Sequence, residues 1–177
     1  MELTEDFREG VVKIGKLSLE QTARDNDPFL PKMLVEVDGE LTVMAYPASF
    51  EGLTAVADFL IRQNRPVNGI CLTVDTYHLI APEGEGIEDA GQYAGRLQEE
   101  FEKGNPMVCE ALHLTMVTAD QLVTISVPYA RKVKGDITWR EPIVIEQSAD
   151  GGQTVQGRFP ELLQAIIAAT NMEAKDD

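Results

Sequence analysis

The chain is poor in thiol and imidazole side chains, with two cysteines and two histidines, and it has one tryptophan. Cys71 and Cys109 each sit in an apolar segment with no second Cys or His at ligand spacing, which argues against a zinc site and against a disulfide framework. Two buried, reduced thiols in a cytoplasmic protein are expected instead. Any scheme that uses imidazole must use His78 or His113. Apolar runs are short as well. None approaches the ~18 residues that span a bilayer, and the opening Met1, Glu2, Leu3, Thr4, Glu5, Asp6 has neither the basic nor the apolar region of a leader. Bases are scarce: 15 Lys and Arg against 30 Asp and Glu leave a net charge of −15, which disfavours direct binding to nucleic acid or to an anionic membrane. The phosphate-cradling glycine motifs and the Gly-x-Ser-x-Gly elbow are missing too. Glycines 84, 86 and 91 lie among acids that would repel a phosphate.

What remains is an ordinary globular composition organised by period. A chain of 177 residues suits one domain, 1–177, whose core buries roughly 70% of the unfolded surface. Phe7, Val11 and Ile14, with Gly15 or Leu17, fall at helical spacing behind Glu5 and Asp6, so a first helix is predicted over 4–19. Arg24 to Pro31 is rich in turn formers and is expected to be a loop, completing an N-terminal unit of residues 1–31. Met33–Val37 and Leu41–Tyr46 alternate around Asp38 and Gly39, a pair that suits a two-residue type I′ hairpin. Ser49 is placed to cap a helix with Leu53, Val56, Ala57, Leu60 and Ile61 on one face, ending before Pro66. A strand is predicted over 69–79, then a flexible acidic loop over 82–91. Tyr93, Leu97 and Phe101 mark a helix closed by Gly104, Asn105 and Pro106. Three further strands follow, then a turn at Asp150, Gly151 and Gly152. The last helix has Pro160 in its first turn and Leu162, Leu163, Ile166 and Ile167 as its apolar face, and 173–177 are expected to fray. The predicted class is α+β: a mixed or mostly antiparallel sheet of about six strands packed with about four helices. An N-terminal hairpin, a central strand and a C-terminal three-stranded meander would build that sheet.

The meander lies in a stretch that differs from the rest in charge. Residues 106–146 hold five acids (Glu110, Asp120, Asp136, Glu141, Glu146) and four bases (Arg131, Lys132, Lys134, Arg140), so they carry −1 of the −15. Pairing its first two strands across a turn at Ala119 and Asp120 sets Leu112, Leu114 and Met116 against Val127, Ile125 and Val123. The other face then sets His113 against Ser126 and Thr115 against Thr124, and a slip of one residue would destroy both faces at once. A three-residue loop, Val133, Lys134 and a left-handed Gly135, brings back the third strand. It pairs Tyr129 with Trp139, Ile125 with Ile143 and Val123 with Ile145. Glu141 falls opposite Val127, so either a bulge at Pro142 turns it outward or it is buried with a partner.

The polar face gathers His113, Thr115, Thr124, Ser126 and Arg140 within roughly 10 Å, a set able to hold an anion such as phosphate. The plainer reading is the solvated half of an antiparallel sheet. Alternation places His78 with Leu72 and Val74 on an apolar side. Cys109 and His113 share a face of one strand but lie roughly 13 Å apart, too far for a thiolate–imidazole pair. His113, Leu114 and Thr115 resemble half of the signature of the two-histidine phosphoesterases, which implies a phosphate held between two imidazoles and two hydroxyls. The second half would be His78, Leu79 and Ile80, and Ile80 lacks the hydroxyl. A looser resemblance covers about 69–142: a strand ending near Tyr77, an acidic excursion, Glu110 and Ala111 on a strand, and an Arg131–Lys132 turn leading to Trp139. It is to small uncharacterised α+β proteins of bacteria and their phages, which implies no assigned activity.

Three classes of function follow. The first is a non-enzymatic interaction or regulatory module with a protein partner or a second copy of itself, needing neither cofactor nor metal. Its candidate surface is acidic: Glu85, Glu88 and Asp89, with Glu83 beside them, then Glu99, Glu100 and Glu102. The second is a small-molecule or nucleotide-phosphate binder, or a phosphoesterase-like enzyme, on the His113 face. The third is an acidic decoy that mimics DNA, against which stands the scattering of acids among bases.

Overall fold

The computed structural model of the chain describes residues 5–45, 50–63, 65–80, 95–119, 121–132, 135–148 and 158–173. Tyr46, Ser49, the 82–91 loop, Tyr93, Asp120, Val133, Lys134, the turn at 150–152 and residues 174–177 lie outside these, as do the side chains of Pro160 and Leu162. The described elements run α1 (Glu5–Asp25), β1 (Lys32–Val37), β2 (Glu40–Ala45), α2 (Phe50–Arg62), β3 (Val67–Leu79), α3 (Leu97–Glu102), β4 (Val108–Val117), β5 (Gln121–Arg131), β6 (Ile137–Trp139), β7 (Ile143–Ser148) and α4 (Arg158–Glu173). The class is α+β, with one sheet in the order β2-β1-β3-β4-β5, and β6 and β7 share the outer side of β5. Every pairing is antiparallel.

Both faces of the sheet are apolar over much of their length, and each is covered by different helices. Leu34, Cys71, Leu112, Leu114, Met116, Val123, Ile125 and Val127 pack under α1. On the reverse, Met33, Val35, Ile70, Leu72, Val117 and Leu122 pack under α2 and α4, through Leu53, Leu60, Leu163, Ile166 and Ile167. The two layers follow from strict alternation along β3, β4 and β5. The predicted register holds throughout that region: Leu112, Leu114 and Met116 face Val127, Ile125 and Val123, and His113 and Thr115 face Ser126 and Thr124. Asp38 and Gly39 both have positive φ, +50° and +78°, as a type I′ turn requires.

Helix α1 is longer than its spacing suggested, reaching Asp25. Its buried stripe is Phe7, Val11, Gly15 and Leu19, and each large apolar member contributes about 1.5–3 kcal/mol relative to exposure. Gly15 marks a close approach to the sheet, since a Cβ there would lie 3.0 Å from Leu112 Cδ2. Leu17, the alternative in the sequence pattern, is 57% exposed. The helix ends at Asn26, whose φ is +56°, with the Asp27 N–H donating to Thr22 O at 2.9 Å. An asparagine here fills the left-handed position usually given to glycine. Helix α3 closes in a related way at Gly104, with the Asn105 N–H on Glu100 O at 3.0 Å. It spans only Leu97–Glu102 and has no buried residue, while Phe101 rests on Tyr77 with ring centroids 5.0 Å apart.

The third strand of the meander differs from expectation in a way that matters for function. It is two strands. β6 keeps the expected register, with Tyr129 opposite Trp139. The Arg140 N–H then donates to Pro128 O at 2.9 Å, and by β7 the register has moved one residue, so Ser126 faces Ile143, Ile125 faces Val144 and Thr124 faces Ile145. The expected Ile125–Ile143 and Val123–Ile145 pairs are not made. Glu141 is exposed, as the bulge reading required. One inserted residue also exchanges the faces of everything after it. Ile143 and Ile145 join the His113 face and Val144 joins the α1 face.

The β5–β6 hairpin closes on Lys132 N–H to Asp136 O at 2.8 Å, with Gly135 at φ +79°. A Cβ on Gly135 would collide with the backbone of Ala23 and Arg24 at the end of α1. The tip is therefore pressed against the helix as well as left-handed. Gly135→Ala is expected to cost about 1–3 kcal/mol in a denaturant titration, and an unchanged midpoint would refute the contact.

Candidate functional site

The five side chains proposed around His113 come from β4, β5 and the link between β6 and β7, and the register brings four of them into one patch. His113 and Thr115 of β4 face Ser126 and Thr124 of β5. His113 Nδ1 and Ser126 Oγ are 2.9 Å apart and share a hydrogen bond. Ser126 is buried at 3% exposure, while His113, Thr115 and Thr124 are half-buried. Arg140 is on the same face, since its charge acts on Cys109 there, but its side chain is exposed. Burial, helped by the His78 imidazole, pushes the His113 pKa below its ordinary value. Burial lowers His78 too. His78 lies with Leu72 and Val74, as alternation indicated, and that side of β3 is also the His113 face, because Val74 stands opposite His113 and His78 opposite Cys109. The patch is also less polar than expected, since Ile143 and Ile145 flank Ser126 and Thr124.

The two thiols are free and buried on opposite faces, Cys71 under α1 and Cys109 beside His78. Burial raises both pKa values, so each is a protonated, inert thiol at neutral pH.

Of the acids proposed as a partner surface, Glu85, Glu88 and Asp89 lie outside the described residues. The other three are engaged within α3. Lys103 Nζ lies 2.6 Å from Glu99 and 3.3 Å from Glu100, Arg96 reaches both, and Gln98 donates to Glu102 at 3.0 Å. The hydrogen bond from Lys103 lowers the Glu99 pKa, and those from Asn105 and then Lys103 lower that of Glu100.

A polar cluster that sequence reasoning missed sits at the far end of the α1 face. Tyr77, Glu110, Tyr129 and Trp139 form one row across four strands. The Tyr129 hydroxyl, on a side chain only 2% exposed, donates to Asp75 Oδ1 at 2.6 Å. Arg131 folds back from the hairpin, donating from Nε to Glu110 at 2.9 Å and from Nη2 to Asp75 at 2.9 Å and Tyr129 Oη at 3.0 Å. Burial, then the bond to Asp75, pushes the Tyr129 phenol far up. The cluster is closed on itself and reads as a polar seal on the core. Register held the clue, since it puts Glu110 on an apolar face, where a carboxylate needs a partner.

The remaining surface feature is the sheet edge. Among the described residues no strand pairs with the outer side of β7. Ile143, Val144 and Ile145 are 38%, 47% and 51% exposed. Between this edge and α1 runs an open groove of about 770 Å³ with an apolar floor that includes Trp139, Val144 and Leu17. Its rim carries Arg8, Lys13 and Lys16 against Glu5, Glu9 and Glu20. Lys16 Nζ stands 5.1 Å from the Trp139 ring centroid, and Trp139 Nε1 donates to Glu20 at 2.7 Å. No described helix is long and apolar enough to cross a membrane. Among the described residues, no cluster of three or more His, Cys, Asp or Glu is placed to hold a metal ion.

No family description, curated protein or solved structure matches the chain, so no relative lends it an activity.

Two stability measurements check this geometry. Tyr129→Phe takes a donor from Asp75 and should cost about 1–2 kcal/mol; a neutral result would mean that the seal contributes nothing. Because the folded pKa of each histidine lies below its unfolded value near 6.5, the unfolded state binds more protons in mild acid. Stability should therefore fall as pH drops through about 6.5, and His113→Gln should flatten the slope. A variant with the wild-type slope would remove His113 as its source.

Proposed function

We propose that the chain is a protein-interaction module that takes an extended polypeptide segment along the β7 edge. The observation that carries this reading is the edge strand bearing Ile143, Val144 and Ile145, unpaired on its outer side among the described residues and more than a third exposed at all three. An unpaired strand offers a row of backbone N–H and C=O groups to an added strand, and flanking pockets for alternate side chains supply selectivity. The groove floored by Trp139 and Val144 lies where such side chains would point. Proteins ordinarily blunt their edges with charge, proline or a covering element. Here Glu141 and Pro142 stand just before the strand and Glu146 lies within it, while Ile143, Val144 and Ile145 carry no charge.

The other candidate sites offer a ligand less. Ser126 engages the His113 Nδ1, and Ile143 and Ile145 occupy the face where an anion would rest. Of the α3 acids, Glu99 and Glu100 are matched by Lys103 and Arg96, and Glu102 accepts from Gln98. A cytoplasmic setting suits the two reduced thiols.

The reading is tested by placing a photo-crosslinking residue at Val144 and, as a control on the opposite sheet edge, at Val43, which is 49% exposed. Irradiation in cells that make the protein should give polypeptide adducts at position 144 well above those at 43. Equal yields at the two positions, or none at 144, would remove the reading.

A further inference from the structure

The geometry points to a second copy of this chain as the occupant: we propose that two molecules pair β7 to β7, antiparallel, around a two-fold axis. The proposal rests on the interaction reading above and names its partner. Charge is the first argument. Two copies at −15 repel one another over most of their surfaces, but residues 106–146, which include β4, β5, β6 and the first four residues of β7, carry only −1 of that charge. The rim of the adjoining groove has three bases and three acids. This is where two such molecules approach at least electrostatic cost. A strongly basic partner would instead be drawn to the acidic remainder of the surface.

Self-complementarity is the second argument. An axis through Val144 sets Val144 against its own copy and Ile143 against the second copy's Ile145. All three exposed apolar side chains then fall in cross-strand pairs, the unit of sheet stabilisation. The pairing uses up both β7 edges and leaves the β2 edges on the outside, so it closes at two. Pairing β7 to β2 would instead leave an edge free at each step and give an open filament.

Sedimentation of the full chain from micromolar to submillimolar concentration tests the proposal. A reversible monomer–dimer equilibrium is expected, tightened by added salt, because screening removes the residual repulsion between copies. Val144→Lys should weaken dimerisation about tenfold or more, since two ammonium groups would meet on the axis, whereas Val43→Lys should leave it unchanged. Ile145→Lys, on the other face of the strand, serves if Val144→Lys does not fold. Hydrogen exchange on the unaltered chain should slow at amides 143–148 as concentration rises. A monomer at every concentration, a dimer indifferent to both lysines, or filaments would each overturn the proposal. Adducts at position 144 joining the chain to a different polypeptide would sink the dimer while leaving the interaction reading in place. Absence of any adduct at 144 would sink both.

Discussion

Alternation along β4 governs what every other layer of the molecule touches. The strand lies between β3 and β5 and is paired over nearly its whole length on both sides. Its even-numbered residues from Leu112 to Met116 enter the α1 core, and Val117 enters the α2–α4 core. A one-residue slip would put His113 and Thr115 under α1 and push three large apolar residues out of their core, a loss of several kcal/mol. The helices therefore have no freedom in which face they choose. Gly15 lets α1 settle onto Leu112, and the hairpin tip at Gly135 meets the last turn of the same helix.

Where the sequence is periodic on both strands of a pair, the fold could be read from it. The β4–β5 register, the Asp38–Gly39 hairpin, the left-handed Gly135 and the Tyr129–Trp139 pair all rest on local chemistry with one consistent answer. The misreadings come from features that alternation does not encode. Asn26 ends α1 through a backbone bond from Asp27 to Thr22, and a run of Asp, Asn and Asp looks the same whether it ends a helix or lies in a loop. The bulge is set by the Arg140–Pro128 bond and by Pro142, which has no N–H to donate. Sequence marked a break there without saying that every later side chain would change face.

That one inserted residue decides the character of the candidate site. Without it, Ile143 and Ile145 would line the α1 core and the face around His113 would stay polar. With it, two isoleucines lie beside Ser126 and Thr124, Val144 turns into the groove, and the end of the sheet is apolar on both sides. The near-neutral edge then stands apart from the acid-rich remainder, whose like charge keeps molecules in solution. The His113 patch, by contrast, is legible as a cluster from register alone, which sets its imidazole 2.9 Å from the Ser126 hydroxyl.

Trp139 is the one tryptophan of the chain, and it lies on the seam between α1 and β6, bonded to Glu20 from 119 residues away. Its surroundings come together only when α1 meets a strand more than a hundred residues further along. Contacts of such long sequence separation form late, after the loop entropy between them has been overcome. The indole is thus a built-in optical reporter of α1 docking. Its emission follows the closing of this seam, independently of whether β1, β2 and α2 have already assembled on the opposite side of the sheet.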